Sequence, residues 1–371
     1  MPDRELARLT ADLGAIDSVN PSLVSGGAGE AAIARFVAAW LKAAGLEVTV
    51  DEVAPGRPNV VGVARGRGGG RTLLLTGHTD TVGTAGMERP LDARVDGDRL
   101  YGRGAYDMKA GLAAAMAAGA AAARADLAGD VVVAAVVDEE LGSLGTEALV
   151  RTVRADAAIV PEPTDLRVAV AHRGFAGFRI ETAGVAAHGS RPDLGVDAIA
   201  LMGPVLVELS ALDARLRERD PHPLLGTASL HASLIEGGQE LSSYPARCVV
   251  SGERRTLPGE SVDDVERELR DALTRAGTGG ELSPLVSRDP YELDPGAEIA
   301  RLVAERADAP IGGAPYWTDA ALLGAAGIPS VLYGPSGEGA HAVVEWVDLP
   351  SVERVRDVLL DVATAFCGSA T

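Results

Sequence analysis

A chain of 371 residues exceeds the roughly 100–200 residues usual for one domain, so two domains and a large core are expected. Its formal net charge of -19 argues against nucleic acid and anionic membrane surfaces as partners, and no apolar run reaches the ~20 residues of a membrane span. The two cysteines, Cys248 and Cys367, match no metal or redox spacing, and the start, Met1-Pro2-Asp3-Arg4-Glu5, is charged and lacks an apolar signal segment, so a soluble cytoplasmic protein is expected.

In chain order, residues 29–45 place Ala32, Phe36, Ala39, Trp40 and Ala43 at helical spacing and stop at Gly45, after which Val48 and Val50 alternate like a strand. Residues 71–77, 131–137 and 157–160 are short apolar runs of the kind covered on both faces of a sheet. Met108 to Ala125 and Thr146 to Val153 read as helices between them, which predicts an α/β domain with a mostly parallel sheet. From Gly174 the texture changes. Strands at 175–183, 227–235 and 246–254 and helices at about 196–216 and at Val262 to Ala276 fit an inserted α+β sandwich. Helices near 296–307 and 319–326, a strand at 330–333 and a terminal helix at 350–366 restore the first texture. The expected division is residues 1–173 with 287–371 in one domain and 174–286 in the insert.

Acidic and histidine residues recur where these apolar runs end. His78 and Asp80 stand two apart at a strand end, so both project to one side, as a metal-bound imidazole and its orienting carboxylate do; a plain polar cluster fits them as well. Asp107 precedes a helix and fits a cap or a ligand. Glu139 and Glu140, after Asp138, close the next strand, where neighbouring side chains point oppositely, so one can bind metal while the other faces substrate; a solvated acidic loop fits them as well. Glu162 is held rigidly between Pro161 and Pro163, and His341 lies in a glycine-rich loop. Each follows an apolar run or opens a helix, which places them together at the carboxyl end of an α/β sheet, where sites form.

Gly77-His78-Thr79-Asp80, Tyr101-Gly102-Arg103-Gly104-Ala105-Tyr106-Asp107-Met108-Lys109, Asp138-Glu139-Glu140, Pro161-Glu162-Pro163 and Gly339-Ala340-His341 together resemble the di-zinc aminoacylase and carboxypeptidase family, which includes acetylornithine deacetylase. The resemblance covers nearly the whole chain. It implies two Zn2+, with Co2+ or Mn2+ as substitutes: His78, Glu162 and Asp107 on one ion, His341, Glu140 and Asp107 on the other, Asp107 bridging. It makes Glu139 the general base and Asp80 the partner of His78. The inserted domain becomes a lid that also forms a homodimer contact.

Two lid residues follow from the same resemblance. His188, in Ala186-Ala187-His188-Gly189, would donate a hydrogen bond to the oxyanion in the partner's site, and Arg255 would grip a substrate carboxylate. Ser242 replaces a usual asparagine and Glu253 a usual aspartate. Thr318, in Tyr316-Trp317-Thr318-Asp319, belongs to a pair that often lines the substrate site. His172 reads as part of the domain junction. The expected activity is hydrolysis of an N-acyl amino acid or related small amide, with a carboxypeptidase or dipeptidase as the nearest alternative and a non-catalytic metal-binding or ligand-binding protein as the alternative of another class.

Overall fold

A computed structural model describes residues 3–368, so Met1 and Pro2 of the charged start lie outside the described residues. The chain divides into two compact units, one formed by Met1–Val170, Leu293–Gly312 and Thr318–Thr371, the other by Ala171–Glu292 and Gly313–Trp317. Among the described residues no helix is long and apolar enough to cross a membrane.

The first unit is built on an α/β sheet. Its strands lie in the order Glu47–Ala54, Arg57–Ala64, Val131–Val136, Leu73–His78, Ala157–Val160, Ser330–Leu332 and Val168–His172. The central members pair in parallel and the outer pairings are antiparallel. Leu73–His78, Val131–Val136 and Ala157–Val160 are buried along their whole length, which is why they read as continuous apolar runs instead of alternating. Parallel pairing brings their carboxyl ends to one edge, so His78, Glu139 and Glu162 emerge side by side.

The Ala110–Ala122 helix is almost entirely buried, since its alanines and glycines let neighbours approach closely. It starts two residues later than the sequence pattern suggests, because Asp107 and Met108 have non-helical backbone angles. The amides of Tyr106 and Asp107 are taken by the Glu345 carboxylate. A small sheet of Arg94–Asp96, Arg99–Tyr101, Trp346–Asp348 and Gly337–Glu338 carries the loop of His341 beside the segment that leads to Asp107.

The second unit has an antiparallel sheet in the order Ser229–Gly237, Arg247–Thr256, Gly174–Ala183, Glu281–Arg288. Alternation in Gly174–Ala183 sends Phe178 and Ile180 inward, against Met202, Leu209 and Leu269 of the helices Ala198–Arg217 and Val262–Ala276. Ser261 begins the second helix with a capping box, and Gly277 ends it in a left-handed conformation, φ 67°. Ser229–Gly237 is an edge strand, and most of it is exposed.

A Cβ at Gly111 would stand 1.9 Å from the carbonyl oxygen of Pro161, which fixes the helix against the strand end that carries Glu162. Gly111→Ala is therefore expected to destabilise the protein by about 1–3 kcal/mol, measured as a lower urea midpoint with an unchanged slope.

Candidate active site

His78 ends the central strand of the first unit, and Glu139, Glu140 and Glu162 follow its two parallel neighbours. Asp107 enters on the Ala105–Lys109 turn, whose Asp107–Met108 peptide is cis, and His341 enters on the loop between Glu338 and Trp346. Asp107 divides its carboxylate between the two histidines: Oδ1 lies 3.3 Å from His78 Nε2 and Oδ2 lies 3.4 Å from His341 Nε2. Glu162 Oε1 and Glu139 Oε2 are 3.9 and 4.0 Å from His78 Nε2, and Glu140 Oε2 is 2.9 Å from His341 Nε2. Two donors bonded at ~2.0 Å to one tetrahedral ion stand about 3.3 Å apart, so both contacts of Asp107 have the span of two ligands sharing a cation. One ligand atom each from His78, Asp107 and Glu140 falls within 4.8 Å of the others. The residues present fit two divalent ions.

The electrostatics point the same way. Burial pushes the carboxyls of Glu139 and Glu162 well above the usual carboxylate range; His78 counteracts this only in part, and neighbouring carboxylates add to it. Burial opposes charge on His78 as well, but its hydrogen bond to Asp107 and the charges of Glu162 and Glu139 hold it well above the ordinary imidazole value. His341 is pushed up to about 10 by its hydrogen bonds to Asp107 and Glu140. These acids gather protons because they are short of positive charge, and a pair of dications supplies it.

The supports around this cluster are buried and polar. His78 Nδ1 donates to the backbone carbonyl of Asp80 at 2.9 Å and stands 3.6 Å from its carboxylate. The Asp80 carboxylate instead accepts the amides of Glu139 and Glu140 at 3.1 and 3.2 Å and the side-chain amide of Asn20 at 2.8 Å. Asn20 also reaches Asp138, which pairs with Arg57 at 2.8 Å, and Arg57 pairs with the buried Glu30. Glu30, Arg57 and Asn20 carried no signal in the sequence, since each partner is far away along the chain. Asp319, hydrogen-bonded by Thr146 at 2.6 Å, is pushed up to about 6 by burial against that bond.

A sequence model of Peptidase family M20/M25/M40 matches residues 74–365. The chain belongs to this family. The acetylornithine deacetylase of Proteus mirabilis (strain HI4320) is 30% identical over 355 residues, which is 91% of this chain and 90% of that protein. Among solved structures, a tripeptidase from Staphylococcus aureus superposes with a TM-score of 0.81 at 21% identity, covering 100% of both chains. A dinuclear metal-binding peptidase of the M20 family from Bacillus subtilis gives 0.72 at 17%, covering 98% of both. At these identities the two structures establish the shared fold. As a member of the M20/M25/M40 family the chain is a metal-dependent hydrolase of amide bonds.

The other candidates of the sequence lie as follows. His188 and Ser242 come together in the second unit: Ala187–His188 pairs with Ser243–Tyr244, and the Gly189 amide donates to the Ser242 carbonyl at 2.6 Å. His188 is exposed, and Ser190 occupies its Nδ1 at 2.8 Å. Arg255 lies beside Phe175 across the strand pair and donates to Glu253 at 2.7 Å. Thr318 is fully buried, and its hydroxyl accepts from the amide of Ala320. Trp317 packs edge-on against Phe175 and His172, with its indole N–H on the Asp289 carbonyl.

His172 is buried in the second unit beside the rings of Tyr291 and Trp317; its Nδ1 donates to the Arg173 carbonyl, Nε2 has no hydrogen-bond partner among the described residues, and burial pushes its pKa down to about 4. An unfolded chain protonates this ring near the ordinary value of 6.5. Between these two values the unfolded state binds more protons, so stability is lost as pH falls, at up to about 1.4 kcal/mol per pH unit. Urea titrations of the wild type and His172→Phe across that range are expected to show this slope in the difference between them, with the variant gaining relative stability toward acid.

Proposed function

We propose that this chain is a two-zinc deacylase that removes the acyl group from the nitrogen of an N-acyl amino acid. The observation that carries the reading is the division of the Asp107 carboxylate, one oxygen toward His78 and the other toward His341. His78, Glu162 and Asp107 hold one ion, and His341, Glu140 and Asp107 hold the other; Co2+ or Mn2+ is an acceptable substitute by ligand type. Bound there, the ions polarise an amide carbonyl and lower the pKa of water toward neutrality.

Glu139 is the proton carrier. Largely buried at the strand end with Oε2 4.0 Å from His78 Nε2, it stands beside the metal ligands, where it takes a proton from the attacking water and returns it to the leaving nitrogen. Asp80 fixes the backbone of this residue through its amide and the orientation of His78 through its own carbonyl. Arg255 grips the substrate carboxylate, His188 donates to the oxyanion of a partner subunit's substrate, and Ser242, next to the strand that pairs with His188, offers a further hydroxyl to substrate. The similarity to acetylornithine deacetylases over most of the chain favours an N-acyl amino acid over a peptide, and the likeness to a tripeptidase keeps short peptides as the second reading.

We further infer a cytoplasmic homodimer. Both cysteines are free and buried, in keeping with a reducing compartment. In the second unit Ile199, Gly203 and Val207 form one stripe on the Ala198–Arg217 helix, with Val207 66% exposed and, among the described residues, no atom within 4 Å of a Cβ built on Gly203. Leu234, 68% exposed, stands on the edge strand. An apolar stripe and an unpaired strand edge suit a second copy of the same surface about a two-fold axis.

Glu139→Gln is expected to bind two metal equivalents yet lose about 10²–10⁴ of turnover; a fully active variant would remove Glu139 from the reaction. N-acetyl, N-succinyl and dipeptide substrates compared at equal concentration should rank the acyl amino acids first, and a dominant dipeptidase rate would reverse the assignment. Val207→Glu combined with Leu234→Glu should halve the mass seen by light scattering.

A further inference from the structure

Arg103 and Glu345 form an ion pair at 2.6 Å that is among the most buried in the first unit, with the two residues 3% and 1% exposed. Its hydrogen bonds are directed at two places. Glu345 accepts the backbone amides of Gly104, Tyr106 and Asp107 at 3.0, 2.9 and 3.1 Å, so it holds the turn that aims Asp107. Arg103 donates to the carbonyl of Ala342 at 3.0 Å, the residue directly after His341, and to the carbonyl of Gly83 at 3.1 Å.

The two histidines of the site are held very differently. His78 ends a buried strand, and its free ring nitrogen is fixed by the Asp80 carbonyl. His341 lies on a loop with left-handed backbone at Gly339, φ 89°, and at His341 itself, φ 62°, and its side chain is 55% exposed. The strands Gly337–Glu338 and Trp346–Asp348 fix the two ends of that loop, and Arg103 fixes its middle. Without the pair, the loop would have to be ordered each time an ion binds, and the affinity would fall by the cost of that ordering.

We propose that the Arg103–Glu345 pair is a positioning element that sets the spacing between Asp107 and His341, and so the affinity of the ion that these two share with Glu140. The inference rests on the ligand sets proposed above. The ion of His78, Glu162 and Asp107 depends on it far less, because two of its three ligands stand at buried strand ends.

The test is a chelator-competition titration of metal-free protein with Zn2+. His341→Ala identifies the equivalent that belongs to His341. In Arg103→Lys, which loses the planar fork, and in Glu345→Gln, which leaves Arg103 without its counter-charge, that equivalent is expected to weaken by about 10–100-fold, while the other, which the pair reaches only through Asp107, weakens clearly less. Glu345→Asp, which keeps the charge but shortens its reach, carries the test if the first two fold poorly. Equal weakening of both equivalents, or no weakening, overturns the proposal, because a purely structural pair would not discriminate between them. A wild type that binds fewer than two equivalents overturns the ligand sets themselves, a result distinct from failure of the pair.

Discussion

The structure of the first unit depends on one electrostatic problem, which is how to keep Asp80, Asp107, Glu139, Glu140, Glu162 and Asp319 together in a largely buried place. Carboxylates out of water are costly unless they are paired or hydrogen-bonded, and like charges close together raise the cost again. The protein answers with two imidazoles that share Asp107, with backbone amides turned toward Asp80, and with Arg57 and Asn20 packed behind Asp138. These groups leave the acids short of positive charge. The deficit is what makes the cluster a place for divalent ions, and the arrangement of Asp107 between two histidines is what makes it a place for two.

Apolar packing is what allows the acids to be brought together. The parallel strands are buried on both faces and end at one edge, so residues from three strands meet there without any one segment having to carry them all. The alanine- and glycine-rich helix behind them approaches so closely that Gly111 touches the Pro161 carbonyl. The rigidity of Glu162 thus comes from the packing of the helix as well as from its flanking prolines. His341 is the exception, held on a loop by polar contacts, and the two halves of the site therefore differ in stiffness.

The second unit meets a different constraint. Its sheet is covered on one face by two helices, with Arg254 buried on that side between Glu260 and Glu268, while Arg255, one residue on, turns to the opposite face beside Phe175. The strand period turns neighbouring arginines to opposite faces, the first into a buried ion cluster and the second to pair with Glu253. The same unit leaves one strand edge and one helix stripe exposed, with Leu234 on the first and Val207 on the second.

Much of this was legible in the sequence. Continuous apolar runs identify buried strands, their last residues mark the site, and the helix expected from Val262 to Ala276 has those bounds in the structure. The helix Arg4–Gly14 was missed although Asp3 caps it and Leu6, Leu9 and Leu13 recur at helical spacing, whereas the strand Arg57–Ala64 and most short strands were not legible because such segments take their form from the neighbours they pack on. By itself the sequence determined the donor types, their order and the strand ends that carry them, since these are properties of local pattern. Only the tertiary structure decided that Asp107 faces both histidines, that the Asp80 carboxylate serves the Glu139 and Glu140 amides, and that Glu30, Arg57, Asn20, Arg103 and Glu345 brace the cluster. Those contacts join residues as much as 242 positions apart, and a side chain's partner at that separation is set by the packing of whole elements, which no local spacing encodes.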